Sequence, residues 1–100
     1  MEADWKRELI DLIESSHSKG EMNELLTALL TPSEYKELAK RWQIVKKLIE
    51  GATQREIRNE LKVSIATVTR GSREIQYGNG VFKKFYKRLC DRKSHQHKST

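Results

Sequence analysis

One hundred residues with 20 Lys/Arg against 14 Asp/Glu, a net charge of +6 and 36% hydrophobic content fit a single domain. No apolar run is long enough to span a bilayer, and the acidic, helically patterned start MEADWKRELI is not a secretory signal. A lone cysteine, Cys90, excludes an intrachain disulfide framework and fits a reducing, cytoplasmic location. One proline and five glycines among abundant Leu, Glu and Lys favour helix over sheet, so an all-α fold is expected.

The first expected helix covers residues 3–18. Trp5, Leu9, Leu12 and Ile13 follow helical spacing and leave Glu8, Asp11 and Glu14 outward. Ser15 to Lys19 end it, with Gly20 read as a left-handed terminal residue. A second helix from about Glu21 carries Met22, Leu25, Leu26, Leu29 and Leu30. That face is broad for so short a helix and needs a covering surface. A partner subunit is a natural one.

The third helix has the strongest start signal in the chain. Thr31 is placed as N-cap, Pro32 at the first helical position and Glu34 to complete a capping box, with Leu30 and Tyr35 as staple. The stripe Tyr35, Leu38, Ala39, Trp42, Val45, Leu48, Ile49 runs to a stop at Gly51. Arg41 sits inside this pattern, where a plain surface arginine is the simplest reading.

Residues 53–75 then read as two short helices around a tight break. Thr53 and Glu56 form a second capping box, flanked by Ala52 and Ile57 as staple. The break falls at Lys62-Val63-Ser64. Ser64 caps the next helix, with Val63 and Val68 as its staple. Thr67, Thr69, Arg70 and Arg73 lie away from Ala66 and Val68. A helix-turn-helix fits, and so does an ordinary helical hairpin.

Tyr77-Gly78-Asn79-Gly80 is a loop signal. A last helix from about Val81 to Cys90 places Val81, Phe82, Phe85, Tyr86 and Leu89 on one side and Lys83, Lys84, Lys87 and Arg88 on the other. The basic end, residues 91–100, has no periodicity and is read as disordered, which leaves residues 1–90 as the single folded domain. His95 and His97 in that tail read as solvated rather than as metal ligands. No repeat, phosphate-cradling glycine loop, HExxH or nucleophile–base arrangement is present, so no catalytic residue, cofactor or metal is expected.

Charge is split along the chain. Residues 1–53 hold 8 Lys/Arg against 10 Asp/Glu, a net of −2, whereas residues 54–100 hold 12 against 4, a net of +8. A positive region this concentrated attracts polyanions, which favours nucleic acid over a merely solvated surface.

LLTP at 29–32, Arg41-x-x-Ile44-Val45, QRE at 54–56, NEL at 59–61 and above all IATVTRGS at 65–72 resemble the bacterial tryptophan repressor family. The resemblance spans roughly residues 5–90. It implies a six-helix fold with a helix-turn-helix, in which the first helices and the last interlock into an intertwined homodimer. It implies L-tryptophan as co-repressor, palindromic double-stranded operator DNA as partner, no membrane, and control of tryptophan-synthesis genes. In helix-turn-helix dimers, Trp repressor among them, the reading helices enter grooves about 34 Å apart.

The resemblance also assigns roles. Arg41 and Arg70 match the arginines that sandwich the indole, a role that suits a planar guanidinium, and Arg70 also matches a carboxylate partner. Thr31 matches a polar residue near that carboxylate. Ala28 and Leu30 match positions whose carbonyls meet the ammonium from the partner chain. Val45 matches the apolar floor, and Gly71 a residue packed against the ligand. Gln54, Arg55 and Arg58 match DNA contacts on the first helix of the motif. Lys62, Val63, Ser64, Ile65, Ala66, Thr67 and Thr69 match the turn and reading helix, and Arg73 joins this set by its place on the basic helix.

Five departures stand out. Lys62-Val63-Ser64 replaces a Gly-x-Gly turn, Glu74 replaces a serine at the ammonium, and the loop at Gly51-Ala52-Thr53 is one residue shorter. The flexible N-terminal arm is nearly absent, and the basic tail is longer. Two alternatives stay open: a ligand-independent helix-turn-helix DNA-binding protein, and a small basic RNA-binding protein, the latter at odds with aromatics that lie on apolar faces.

Overall fold

The computed structural model describes the backbone of residues 2–98 and the side chains of residues 2–92. The described residues form six helices and no strand: α1 Glu2–Glu14, α2 Lys19–Leu29, α3 Pro32–Ile49, α4 Gln54–Leu61, α5 Ile65–Tyr77 and α6 Val81–Lys98. They group into two units, residues 2–38 and 39–98, with the boundary inside α3.

In the first unit, α1 ends earlier than the sequence pattern indicates. The Ser15 and Ser16 hydroxyls turn back to donate to the Leu12 and Ile13 carbonyls at 2.6 and 3.0 Å, closing the helix. Gly20 is not a left-handed terminus either; it lies in the first turn of α2. Ser18 starts that helix by accepting from the Glu21 N–H at 3.1 Å, while the Glu21 carboxylate accepts from the His17 N–H at 2.6 Å. A serine cap with glutamate three residues on is a start signal, and it outweighs the glycine.

The start of α3 is as expected. The Thr31 hydroxyl accepts from the Glu34 N–H at 3.1 Å, and the Glu34 carboxylate accepts from the Thr31 N–H at 2.8 Å. The Tyr35 hydroxyl donates to Asn23 Oδ1 at 2.9 Å and ties this turn to α2. Neither α1 nor α2 has a buried residue. Trp5 and Ile10 stay 62% and 61% exposed, and Leu9, Leu12 and Leu29 are exposed as well.

The second unit holds the core. Ile44 and Val45 of α3, Ile57 of α4 and Val68 of α5 are at most 2% exposed. Leu48, Ala52, Leu61 and Val63 pack around Ile44, Ile57 and Val68. Both staples therefore deliver their residues to one cluster. The Thr53–Glu56 box forms with bonds of 3.0 and 3.1 Å, and the Thr53 hydrogen bonds hold the Glu56 carboxyl below its usual range. Lys47 pairs with Glu60 at 2.7 Å across α3 and α4. The turn after α4 is made by Lys62 at φ 56, ψ 47, a left-handed conformation that glycine adopts without penalty.

Helix α6 packs on α3 through Phe82, whose ring centre is 6.5 Å from that of Trp42, and through Tyr86, which donates to Glu50 at 2.9 Å. That bond, with a further one to Cys90, pushes the Tyr86 hydroxyl well above its ordinary pKa. Helix α6 continues through Lys98, past Cys90 where an irregular tail was expected. No glycine or proline interrupts residues 81–98, so nothing local stops the helix there. Ser99 and Thr100 of the expected tail lie outside the described residues.

Lys62→Gly should relieve the left-handed strain and raise stability by about 1 kcal/mol, or several degrees in thermal midpoint. Acid should act on Glu56 in a defined direction. Its folded pKa is lowered, so its contribution is present above the ordinary value of 4.5 and is lost as pH falls through the folded value. Glu56→Gln keeps the cap but cannot titrate, so its thermal midpoint should fall less steeply than the wild type's below that pH.

Candidate functional site

The pair α4–α5 is built on buried Ile57 and Val68, which fixes the opposite faces outward. Ser64 starts α5 by accepting from the Thr67 N–H at 3.2 Å, and its hydroxyl lies 2.8 Å from that of Thr67. Arg55, Arg58, Lys62, Ser64, Ile65, Ala66, Thr67 and Arg73 are all exposed. The guanidinium of Arg58 reaches Asn59 Oδ1 with Nε at 3.3 Å and Nη2 at 3.2 Å.

Three nominated DNA residues are drawn inward instead. Val63 is half-buried against the core. Thr69 and Gln54 are half-buried and bonded to each other at 2.9 Å, and the Thr69 hydroxyl also lies 2.8 Å from the Ile65 carbonyl. A hydroxyl has one proton, so both contacts are met together when the Gln54 amide turns to donate its N–H. This bond clamps the start of α4 to the middle of α5.

The second half of the site is the seam between α5 and α3. A Cβ on Gly71 would lie 3.1 Å from Ile44 Cγ2, 3.5 Å from Leu48 Cδ1 and 4.0 Å from Val45 Cγ2. Glycine thus lets the α5 backbone approach α3 directly. Arg70 and Glu74 lie four residues apart on α5, as Arg41 and Val45 do on α3, so each pair shares a helix face. Arg41, Arg70 and Glu74 are exposed, whereas Val45 is buried. Glu74 borders a hollow of about 220 Å³ with Ile75, Gly78, Val81 and Phe82.

The remaining nominated residues belong to the first unit. Ala28 is exposed on α2, Leu30 closes α2 by donating its N–H to Leu26, and Thr31 caps α3. Sequence reasoning missed Ile44 and Leu48 as the wall against Gly71. The signal was a glycine inside an otherwise helical run, which costs roughly 1 kcal/mol against alanine and usually marks a close backbone approach. Among the described residues, no group of three or more His, Cys, Asp or Glu could hold a metal.

A family model described as Trp repressor protein matches residues 3–90. A Trp operon repressor homolog of Vibrio vulnificus (strain YJ016) is 42% identical over 74 residues, 73% of this chain and 72% of the relative. The proteins of the same name from Vibrio cholerae and Histophilus somni (strain 2336) are 39% and 44% identical over 75 and 70 residues. These alignments cover 74% and 69% of this chain, and 72% and 66% of the relatives. No solved structure gives a significant match.

Gly71→Val should force α5 away from α3, because buried Ile44 and its neighbours leave no room for the added carbons. A loss of roughly 1 to 3 kcal/mol is expected, read as a lower thermal midpoint by circular dichroism.

Proposed function

The chain belongs to the Trp repressor family, and on that premise we infer that it is a tryptophan-dependent transcriptional repressor that binds operator DNA as a homodimer. The family consists of transcription regulators, not enzymes. No described helix is long and apolar enough to cross a membrane. We place its action on cytoplasmic DNA.

The observation that carries the mechanism is the contact of Gly71 with Ile44 and Leu48. Through it, the helix proposed to read DNA is also a wall of the proposed ligand site. L-Tryptophan entering beside that seam would stack its indole against the flat guanidinium groups of Arg41 and Arg70. Arg70 would hold the ligand carboxylate through paired N–H donors. The carbonyls of Ala28 and Leu30, contributed by a second copy of the chain, would accept from the ammonium. Glu74, one turn beyond Arg70, would supply a carboxylate for that same ammonium.

Val45 beneath and Gly71 alongside would complete the walls. The ligand can favour the DNA-competent arrangement only by binding it more tightly, so the coupling is reciprocal: operator DNA raises tryptophan affinity. Arg55, Arg58, Lys62 and Arg73 are proposed for phosphates, and Ser64, Ile65, Ala66 and Thr67 for the groove. Gln54 and Thr69 would set the angle between α4 and α5, and Val63 the packing of the turn.

Operator binding measured with and without L-tryptophan tests the reading, and equal affinity in both conditions would leave only a ligand-independent DNA-binding protein. Arg70→Ala should abolish the tryptophan response while retaining weak, salt-sensitive DNA binding. A full response in that variant would overturn the ligand assignment.

A further inference from the structure

We propose that the outward face of α6 is a second, sequence-independent contact for duplex DNA, separate from the α4–α5 pair. Helix α6 turns Phe82 and Tyr86 toward Trp42 and Glu50 of α3. At 100° per residue, Lys84, Lys87 and Arg88 fall on the arc away from those two, with Lys83 on its flank, about 60° from Tyr86. All four are exposed, and among the described residues none of them is in an ion pair. Asp91 is the one carboxylate on that arc within residues 81–92, and Arg92 follows it.

Lys83 and Lys87, like Lys84 and Arg88, are like charges four residues apart, a spacing that destabilises an isolated helix. A row of phosphates would convert that repulsion into attraction and release counterions. Lys84 and Arg88 are held 5.9 and 4.9 Å from the centre of the Phe85 ring, which limits their freedom before any contact is made. The exposed apolar stripe Val81, Phe85, Leu89 borders this arc on the Arg88 side, so a second copy of the chain covering the stripe would still leave Lys83 and Lys87 open.

The arc is distinct from the proposed reading surface. Helix α3 turns Ile44 and Leu48 to α5 but Trp42 and Glu50 to α6. Positions two apart on a helix differ by about 200°, so α5 and α6 pack on different faces of α3. Phosphates at α6 would therefore be additional to those proposed for α4 and α5. The choice of duplex DNA as occupant rests on the repressor reading, which brings DNA to this protein.

The test is the salt dependence of full-length protein binding to a duplex of non-operator sequence. The variant Lys83→Gln/Lys84→Gln/Lys87→Gln/Arg88→Gln should lower the log–log salt slope by about 3 to 4, at about 0.9 per phosphate neutralised. A control of equal net charge, Lys6→Gln/Arg7→Gln/Lys19→Gln/Lys36→Gln, should keep the wild-type slope. So should Lys83→Arg/Lys84→Arg/Lys87→Arg, which retains the charges and separates their loss from any loss of fold. Equal slopes for the α6 variant and the control would overturn the proposal. So would a slope change confined to single-stranded RNA. Failure of the repressor reading has a different signature: wild-type protein would show no tryptophan-dependent preference for operator, a quantity the non-operator slope does not report.

Discussion

Ile57 of α4 and Val68 of α5 have no exposed surface, and both rest on Ile44 of α3. That three-way contact fixes the rest of the second unit. It turns the polar faces of α4 and α5 outward. It also brings Gly71 close enough to α3 that a single methyl group would crowd Ile44. A reading element built this way cannot shift without repacking a buried isoleucine, because close-packed interiors switch between arrangements rather than deform smoothly. A ligand acting at the same seam would bias that repacking, which is the physical content of the proposed co-repression.

The core is small for a chain of 100 residues. The buried residues of α3, α4 and α5 all come from the second unit, while α1 and α2 bury nothing within one chain. Large apolar side chains, Trp5 and Ile10 above all, stay in water in a single copy, and α6 adds the stripe Val81, Phe85, Leu89. Exposed apolar surface of this extent marks an interaction face. In the proposed homodimer these surfaces cover one another, and stability then depends on protein concentration as well as on internal packing.

Two departures from the family pattern sit at mechanically sensitive points. Lys62 takes a left-handed conformation in the turn, and its charge stands beside the proposed reading helix. A glycine there would carry less strain and one charge fewer. Glu74 places a carboxylate at the rim of the hollow below α6. Both residues are exposed and outside the core, and in the proposed function they bear on recognition. Within IATVTRGS at 65–72, Val68 and Gly71 serve the packing, while Ile65, Ala66, Thr67 and Arg70 stay exposed.

Local signals in the sequence determined much of the fold. Both capping boxes, the Ser64 cap, the break at Lys62-Val63-Ser64 and the apolar faces of α3, α4 and α5 follow from residue type and spacing, because each is set by bonds within four residues. Where two local signals competed, as serine cap against glycine at Ser18 and Gly20, spacing alone did not choose between them, and α6 outran its apolar pattern because nothing in the sequence stops it. The candidate site was legible as residues but not as an arrangement. The bond that turns Thr69 inward to Gln54, the burial of Val45 and the press of Gly71 on Ile44 join positions 15 to 27 residues apart. Only packing of α3, α4 and α5 against one another creates those contacts, and no periodicity within a single helix encodes them.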